Sequence, residues 1–514
     1  MIRLLYTSSV SACFERVNHS PYYASEAYTV YLDGAARFRA DTNVFSLFDL
    51  APDTAYTLTL SDEAEPFSFT TEKEALAVSV KDFGAVGDGE QDDTAAIRAA
   101  LDCLPAGGRL IFPPGTYLSL PLQLKSHITV ELKKGAILLG STDRARYPIL
   151  PGEMVDPVTG ESRVSGTFEG LIQPMYQALL SAQNAEDIHV VGEGVIDGNA
   201  QNSDFWTGFR TFPAARPRLV SLLHCRNVVF HGVAAQNSPS WNFHPFHCFN
   251  VGFYDITVLA PKVSPNTDAM DPEACDGVDI IGCRFSVGDD CIAIKSGKKE
   301  LADRFDWPAV RHTVRNCLME NGHGAVTLGS ESAMGIRDLT VSQCFFRKTD
   351  RGLRIKTRRG RGARCDITGI VFDNIRMDGV LTPVVINMWY NCCDPDRFSE
   401  YVWSREKLPV DERTPHLGFF RFRNMICTGA QVAACYIDGL PERPIDGIVL
   451  ENVTIGFAPE AKPGVPAMQN FAEERCRLGL YFENVDRVEL IHVCLAGVDG
   501  AEVIANGCGT VERR

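Results

Sequence analysis

The chain has 514 residues, of which 45% are hydrophobic and 22% charged, the composition of a globular protein large enough for more than one domain. Its formal net charge of −15 argues against nucleic acid as a partner, because phosphate binding needs a basic surface. Residues 1–20 contain no apolar run long enough for a secretion signal, and no later stretch is predicted to span a membrane.

The 17 cysteines are scattered along the chain rather than gathered in a small stapled domain. None belongs to a C-x-x-C pair with zinc spacing, and the adjacent Cys392 and Cys393 suit neither a metal site nor an easy disulfide. This usage is typical of a reducing compartment, where cysteines serve as small buried hydrophobes. The sequence therefore predicts a cytoplasmic protein without a metal site or cofactor.

Residues 1–74 are predicted to form a separate small β domain, because short alternating strands are broken there by turn residues. The stretch from Leu50 to Tyr56, L-x-P-x-T-x-Y, resembles the fibronectin type III sandwich, in which such a segment packs a tyrosine at a sheet corner. Another small antiparallel domain is the alternative. No chemistry is evident in it, so we expect a spacer, docking or oligomerisation role, which leaves a homo-oligomer open.

The clearest helix is predicted over residues 92–104. Asp92 or Asp93 can cap its start. The apolar positions fall on one helical face, at Ile97, Ala100, Leu101 and Leu104. Together with Asp88, the two capping candidates also raise the alternative of a calcium site, but capping and turn formation are the favoured roles.

A repeat begins at residue 184 and fills most of the second predicted domain, residues 75–514. Each copy has a turn with Asn or Asp, a short β-branched strand, a second turn and another strand. The copies cover 184–198, 225–239, 248–261, 275–290, 336–352, 367–380 and 445–457. Copies starting at 225, 248 and 275 are 23 and 27 residues apart, which predicts an all-β fold, a right-handed parallel β-helix, rather than a propeller. Cys225, Cys248 and Cys275 precede strands and are expected to stack inside it.

Residues 264–357 contain the groups that suit catalysis. They are three carboxylates, one imidazole and two cations: Asp268, Asp289, Asp290, His323, Arg354 and Lys356. The steps between them are about one solenoid turn, so these groups should stack on one exposed face. The two cations are two residues apart on a strand and should point the same way. A bend after Gly288 would turn both neighbouring aspartates outward, and Gly288, Gly322 and Gly324 are expected to supply the backbone freedom.

Crowded carboxylates raise the pKa of at least one member, which places an acid beside a base. Such a pair can protonate a glycosidic oxygen and activate water. Carboxyl groups about 6.5–9.5 Å apart leave room for that water and invert the anomeric carbon. The cations would bind a carboxylate on the substrate. The sequence shows no Gly-x-Ser-x-Gly elbow, His-Glu-x-x-His motif or phosphate-binding glycine loop.

Four segments resemble, in order and spacing, the signatures of family 28 of the glycoside hydrolases, the polygalacturonases. They are NTD (266–268), GDD (288–290), GHG (322–324) and RIK (354–356). The resemblance covers about residues 78–500 and is similar to the bacterial exo-acting branch, where a fibronectin-like domain also precedes the β-helix.

The resemblance implies that Asp289 is the general acid, and that Asp268 and Asp290 hold and deprotonate the attacking water. His323 would tune the protonation of Asp289 or help to bind substrate. The two cations of the RIK segment, Arg354 and Lys356, would bind the galacturonate carboxylate beyond the scissile bond.

Four more positions are implied to contact the site, Asn266 from the NTD signature and three from less distinctive parts of the family pattern. Asn266 would orient the carboxylate cluster, and Tyr390 would line the substrate groove. Trp241 and His244 would line the pocket for the non-reducing end. The implied reaction is hydrolysis of α-1,4 bonds in oligogalacturonides by inversion, with no cofactor.

Exo attack is expected on two grounds. Without a secretion signal the substrate must be short enough to be imported, and an insertion from about Asp143 to Leu171 is placed to wall off one end of the groove. The basic run from Arg347 to Arg364 would make the groove locally positive although the whole chain is negative. Three arginines of this run are also expected at the groove: Arg358, Arg359 and Arg361.

Three alternatives stay open. A β-helical pectate lyase would use calcium and an arginine base, with the carboxylates as calcium ligands. A hydrolase of the same family would act on rhamnogalacturonan, xylogalacturonan or a terminal rhamnoside. A non-catalytic β-helix would bind glycan, as an adhesin or a tailspike does.

Overall fold

The computed structural model describes residues 1–155, 160, 162–391 and 399–514, so Cys392 and Cys393 lie outside the described residues. The N-terminal part is a sandwich of two antiparallel sheets. Its strands are Ile2–Thr7, Ala12–Arg16 and Val44–Leu47 in the first sheet, and Tyr23–Leu32, Ala35–Thr42, Ala55–Leu60 and Glu63–Thr70 in the second. Phe14 of one sheet packs with Val30 and Leu58 of the other. Tyr56 Oη accepts a hydrogen bond from the Ala51 amide at 2.8 Å, which holds the tyrosine at the corner.

A parallel β-helix follows, as the repeat predicted. Each strand pairs in parallel with the strand one turn later, so Val228, Val251 and Val278 occupy equivalent positions on successive turns. The strands of its longest sheet are Leu76–Ser79, Asp88–Asp92, Gly108–Phe112, Gly115–Ser119, Ile128–Leu132, Ala136–Gly140, Glu186–Gly192, Val195–Asp197, Arg226–His231, Ala234–Gln236, Phe249–Tyr254, Thr257–Leu259, Asp276–Ile281, Arg284–Ser286, Ala309–Arg315, Leu318–Glu320, Ile336–Ser342, Phe345–Arg347, Asp366–Asp378, His416–Leu417, Phe419–Ala430, Ile445–Phe457, Val485–Ala496 and Thr510–Arg513.

A second face of the β-helix is built from shorter parallel strands. They are Leu122–Gln123, Leu180–Gln183, Val220–Leu223 and Phe243–Phe246 in one sheet, and Ile292–Ile294, Val326–Gly329, Arg351–Lys356, Thr382–Asn387, Ala433–Asp438, Leu478–Glu483 and Val503–Asn506 in another. Single bridges through Met270 join the two sheets, because Met270 pairs with both Phe243 and Ile292. This face carries the candidate site.

The core of the β-helix is continuous from Val80 to Val493. Alternate strand residues point inward, and the interior stacks like side chains on successive turns. Cys225, Cys248 and Cys275 are fully buried in such a row, as predicted. Among the described residues, the cysteines form no disulfide.

The predicted helix forms over Thr94–Cys103, and its four apolar positions are buried. The Asp92 carboxylate accepts a hydrogen bond from the Thr94 amide at 3.0 Å, while that of Asp93 accepts from the Val86 and Gly87 amides. Both aspartates therefore make turn-forming contacts, but the side chain of Asp93, at the N-cap position, makes no capping hydrogen bond, so the predicted capping role is corrected. The other helical segments are Val80–Phe83, Arg144–Arg146, Ala200–Asn202, Phe209–Thr211, Lys299–Ala302 and Glu400–Trp403. In the described ranges no helix has the length and apolarity needed to cross a bilayer.

The insertion at Asp143–Leu171 and the residues just after it form small antiparallel pairs above the second face. They join Ile149–Leu150 to Met175–Tyr176, Glu153–Val155 to Ser162–Val164, and Thr167–Phe168 to Leu171–Ile172. In the last pair Glu169 and Gly170 form the turn, with φ of 50° and 73°. Residues 167–172 are called the cleft hairpin below.

The sandwich docks on the outside of the longest sheet. Tyr6, Val10 and Val44 pack there against Val191 and Ile281. The interface also contains a buried ion pair, because Glu15 accepts hydrogen bonds from Arg315 Nε at 2.6 Å and from Asn316 Nδ2 at 2.8 Å. This surface is distinct from the face of the β-helix that carries the candidate site.

Replacing Glu15 by Ala should lower the free energy of unfolding by about 2–3 kcal/mol. Breaking a fully buried pair typically costs about 3–5 kcal/mol. The loss here is smaller because the Arg315 side chain is still 19% exposed. Chemical denaturation measures the change. The control is Glu65→Ala on the exposed side of the sandwich, which should change stability by less than about 0.5 kcal/mol. Equal stability of the two variants would contradict a contribution from the docking contact.

Candidate active site

A cleft of about 430 Å³ opens on the second face of the β-helix. Ile292, Val326 and Leu353 pair in register on three successive turns, so residues far apart in sequence lie side by side there. The cleft is lined by Glu169, Trp241, Asn266, Asp268, Asp289, Asp290, Lys295, His323, Ser330, Glu331, Asp350, Arg351, Arg354, Lys356, Tyr390 and Met468. It therefore brings together all six of the predicted catalytic carboxylates, imidazole and cations.

The glycines of the motifs are needed because a side chain would not fit there, and not because their backbone angles are unusual. The φ angles of Gly288, Gly322 and Gly324 lie outside the left-handed region, so the expectation of special backbone freedom is corrected. A Cβ at Gly324 would lie 2.8 Å from Asp290 Oδ1, and one at Gly288 would lie 2.6 Å from the Pro261 carbonyl oxygen. Any side chain here would collide with the carboxylate cluster or with the turn that presents it.

Asp290 is held between the two cations of the RIK segment. Its Oδ1 accepts a hydrogen bond from Arg354 Nη1 at 3.1 Å, and its Oδ2 accepts from Lys356 Nζ at 2.9 Å. Burial by itself would raise the pKa of Asp290, but Lys356 and Arg354 outweigh burial and lower this pKa well below its ordinary range. Asp290 is therefore the ionised member of the cluster.

The pKa values of Asp289 and Asp268 are shifted in the opposite direction, upward. Burial, followed by the charge of Asp290, raises the pKa of Asp289, although Lys356 and His323 act against the rise. Burial and then the charges of Asp271 and Asp289 raise the pKa of Asp268 well above its ordinary value. The cluster thus places two carboxyls with raised pKa values beside one with a lowered pKa, which is the kind of arrangement that acid–base catalysis requires.

The three carboxylates are close together. One oxygen from each of Asp268, Asp289 and Asp290 lies within 4.8 Å of the other two. These nearest oxygens are closer than the about 6.5–9.5 Å expected for an acid and a base on opposite sides of a sugar ring. Such a cluster also has the donor atoms for a cation, but Arg354 and Lys356 already supply positive charge to Asp290.

His323 lies at the rim of the cleft, with its side chain 47% exposed. Its Nδ1 is 2.8 Å from Asp350 Oδ2. This hydrogen bond raises the pKa of His323, against the effect of burial and with help from the charges of Asp289 and Asp290. The imidazole is consequently placed to carry positive charge beside Asp289.

Three of the four further positions also reach the cleft. Tyr390 is 5% exposed, with Lys356 Nζ 5.7 Å from its ring centroid. Trp241 stacks on Phe168 of the cleft hairpin at 5.8 Å. Asn266 Oδ1 accepts a hydrogen bond from Arg216 Nη2 at 2.6 Å, so its observed contact is with this guanidinium.

His244 does not line the cleft, and its predicted contact with substrate is corrected. It is only 1% exposed, and its Nε2 lies 3.0 Å from Glu273 Oε2. The ring packs beneath Trp241 with centroids 5.0 Å apart. Burial, with Arg218 and Lys295 nearby, lowers the pKa of His244 well below its ordinary value, so it supports the floor of the cleft as a neutral ring.

The expected groove role of Arg358, Arg359 and Arg361 is also corrected. All three are at most 4% exposed and none lines the cleft. Arg359 forms an ion pair with Glu442 at 2.6 Å and donates to backbone carbonyls of residues 401–406. Arg359 thus anchors a neighbouring loop, and burial keeps all three arginines out of the groove.

A network below the carboxylates was missed at the sequence level. The Lys295 ammonium lies 3.3 Å from Asp271 Oδ1 and 3.4 Å from Glu331 Oε2, and it lies 4.6 Å from the centroid of the Trp241 ring. The segments GDDCIAIKSG and GSE contain Lys295 and Glu331, and alternation along the strand could have placed Lys295. Ile292 and Ile294 point into the core, so Ala293 and Lys295 point outward. Glu169, Asp350 and Met468 reach the cleft from turns and loops and carried no such signal, whereas Arg351 is the first residue of the strand Arg351–Lys356.

The β-helix and a cleft with ionised and proton-holding carboxyls define a glycoside hydrolase. The family model "Glycosyl hydrolases family 28" matches residues 152–397, and the model "Rhamnogalacturonase A/epimerase, pectate lyase-like" matches residues 77–141. A probable polygalacturonase of Vitis vinifera is 30% identical over 400 residues, covering 76% of each chain. The chain belongs to glycosyl hydrolase family 28.

One further relative is similar in sequence, and two solved structures are similar in fold. The exo-poly-alpha-D-galacturonosidase of Dickeya chrysanthemi is 26% identical over 362 residues, which cover 64% of this chain and 59% of the relative. The exopolygalacturonase of Thermotoga maritima superposes with a TM-score of 0.62 at 26% identity, covering 84% of this chain and 92% of that one. The family 28 exopolygalacturonase of Yersinia enterocolitica has a TM-score of 0.71 at 19% identity, covering 99% and 98%, and shares the fold.

Proposed function

We propose that the protein hydrolyses α-1,4 bonds of oligogalacturonides, taking units from the non-reducing end. The observation that carries the proposal is the contact of Arg354 and Lys356 with the Asp290 carboxylate, since it shows that this pair is spaced to hold a carboxylate inside the cleft. A uronic acid supplies such a group next to the scissile bond. The names of the Vitis and Dickeya relatives support the same substrate class.

In the proposed reaction Asp289 donates its proton to the glycosidic oxygen as the bond to the anomeric carbon breaks. The ionised Asp290 takes a proton from the attacking water, and the raised pKa of Asp268 suits a partner that holds this water more than a second base. Water adds to the anomeric carbon, and the proton of Asp289 leaves with the shortened oligomer. Arg354 and Lys356 bind the carboxylate of the leaving unit.

We propose inversion at the anomeric carbon, as the family resemblance implies. The nearest carboxylate oxygens are closer together than those of a usual inverting pair, so the stereochemistry is tested directly. Proton NMR during the first turnovers distinguishes the outcomes, because inversion of an α bond releases the β anomer. An initial α anomer would establish retention and a covalent intermediate.

Exo attack is supported by the cleft hairpin. Its Phe168 stacks on Trp241, and Arg218 Nη2 donates to the Thr167 carbonyl at 3.2 Å. A Cβ on Gly170 would lie 2.7 Å from the Glu331 side chain, so the tip of the hairpin touches the opposite wall. A second cavity of about 460 Å³ lies behind it, reached past Glu169. The hairpin thus interrupts a groove that would otherwise continue.

Incubation with trigalacturonate, with and without EDTA, tests the reaction class. Saturated galacturonate formed equally in both samples is the expected result, with monomer appearing first. A rise in absorbance near 235 nm that EDTA abolishes would instead establish a calcium-dependent lyase. On polygalacturonate, viscosity that collapses while few reducing ends have formed would contradict exo attack. Products only from rhamnose-containing or xylose-containing oligosaccharides would move the enzyme to another pectic linkage.

Removing the imidazole as His323→Gln should move the alkaline limb of kcat/KM to higher pH. The limb reports loss of the proton that Asp289 must donate, and the positive imidazole lowers the pKa of Asp289. Without that charge Asp289 keeps its proton to higher pH. Asp350→Asn should act in the same direction, because its hydrogen bond raises the pKa of His323. Limbs that stay in place or move to lower pH in both variants would contradict this role.

A cytoplasmic location is part of the proposal. The described cysteines carry free thiols and most of them are buried, which suits a reducing compartment. Fractionation of cells that express the protein with its native N-terminus would test it, and recovery in the medium would refute it.

A further inference from the structure

Phe471 is held in an unfavourable state at the surface. Its ring is 79% exposed, and its backbone has a φ of 59°, in the left-handed region that bulky side chains avoid. The exposed ring contributes no hydrophobic free energy of burial, and the backbone conformation adds strain. Strained residues of this kind concentrate at binding sites, where the surrounding structure holds them in place.

The ring follows, along the chain, a residue of the cleft wall that contacts one of the two cations. Met468 lines the cleft, and its Sδ lies 2.9 Å from Arg354 Nη2. The next residue, Gln469, pairs with Tyr390. Residues 468–471 therefore lead outward from the position where the leaving unit binds, and Phe471 is within roughly 11 Å of Met468 along the chain.

A second aromatic ring comes from a different part of the chain. Trp403 ends the helix Glu400–Trp403, and its ring centroid is 5.0 Å from that of Phe471, with 42° between the planes. The indole is partly buried and supports the exposed phenyl ring. Phe471 and Trp403 are called the aromatic platform below.

We propose that the aromatic platform binds further galacturonate units of the substrate, on the leaving-group side of the unit held by Arg354 and Lys356. Pyranose rings have faces of C–H groups that bury apolar area against an aromatic ring, while their hydroxyls and carboxylates stay at the edges in water. The two rings of the platform are uncharged, and Phe471 lies three residues along the chain from the wall residue Met468, so they suit an extended chain of such sugar rings. This inference rests on the proposed function.

The test compares substrates of two lengths. Digalacturonate fills only the positions on either side of the scissile bond, whereas hexagalacturonate extends to the platform. In Phe471→Ala, kcat/KM should fall about 3- to 10-fold on hexagalacturonate, through KM, and stay unchanged on digalacturonate. Phe471→Tyr keeps a ring and should restore the wild-type value. The matched control is Phe419→Ala, since Phe419 is 55% exposed in a strand of the longest sheet.

Each remaining outcome has a defined meaning. Equal kcat/KM for Phe471→Ala and wild type on hexagalacturonate would overturn the platform, and so would an equal loss on both substrates. If wild-type protein cleaves neither oligomer, the proposed function itself fails and the platform as a galacturonate site fails with it.

Discussion

Replacing Asp289 by Asn is expected to lower kcat on oligogalacturonides by about 10²–10⁴-fold, the range for loss of a positioned general acid. Asparagine has nearly the same shape, and its oxygen can still accept the hydrogen bond that the Asp290 amide donates at 3.0 Å. It has no acidic proton to give to the glycosidic oxygen. Initial rates on trigalacturonate measure the effect, and thermal unfolding verifies that the fold is retained.

The matched control is Asp279→Asn on the strand Asp276–Ile281, which lies on the longest sheet away from the cleft. That variant should retain the wild-type kcat. Near-wild-type activity in the Asp289 variant would refute its assignment as the acid, and an equal loss in both variants would point to a general effect on the fold.

Lys356→Met is expected to lower kcat/KM by about 10²-fold, the effect of losing a charge-assisted hydrogen bond of about 1.5–3 kcal/mol. One reason is weaker binding of the carboxylate of the leaving unit. The other is the base, because Lys356 is the strongest influence that lowers the pKa of Asp290 against burial. Without it this pKa rises, so Asp290 becomes protonated at a higher pH and the acid limb of kcat/KM moves upward.

Lys348→Met provides the control from the same basic run, since Lys348 is exposed and does not line the cleft. Its pH profile and kcat/KM should match those of the wild type. A Lys356 variant with weaker binding but an unmoved acid limb would show that the lysine serves the substrate only and leaves Asp290 unaffected.

The β-helix was predictable because its repeat is local. Each turn contributes strands and the same kind of buried residue, so spacing alone places Asp268, Asp290 and His323 on successive turns, with Arg354 one turn further along. The helix at Thr94–Cys103 was predictable for the same reason, since its apolar spacing lies within one segment. The N-terminal sandwich was visible as strands, but its docking through Glu15 and Arg315 joins residues 300 positions apart.

The parts of the site that escaped prediction depend on burial or on loops. A strand sequence does not show whether an outward position is covered, and His244 is covered by Trp241 and Glu273. A basic run does not reveal buried partners, and Arg359 finds Glu442 from 83 residues away. Glu169 enters the cleft at the tip of an inserted hairpin, where repeat spacing carries no information.

The contact between Asp290 and the two cations links recognition to reactivity. In the cleft without substrate, Asp290 itself is the carboxylate that Arg354 and Lys356 hold, and their charge makes it a weak base. In the proposed reaction, a galacturonate that draws on the same cations relieves part of this stabilisation, so the proton affinity of Asp290 increases as the sugar arrives. Under that proposal the substrate's own acidic group would activate the base that directs water at its bond, and a neutral sugar of the same shape would not.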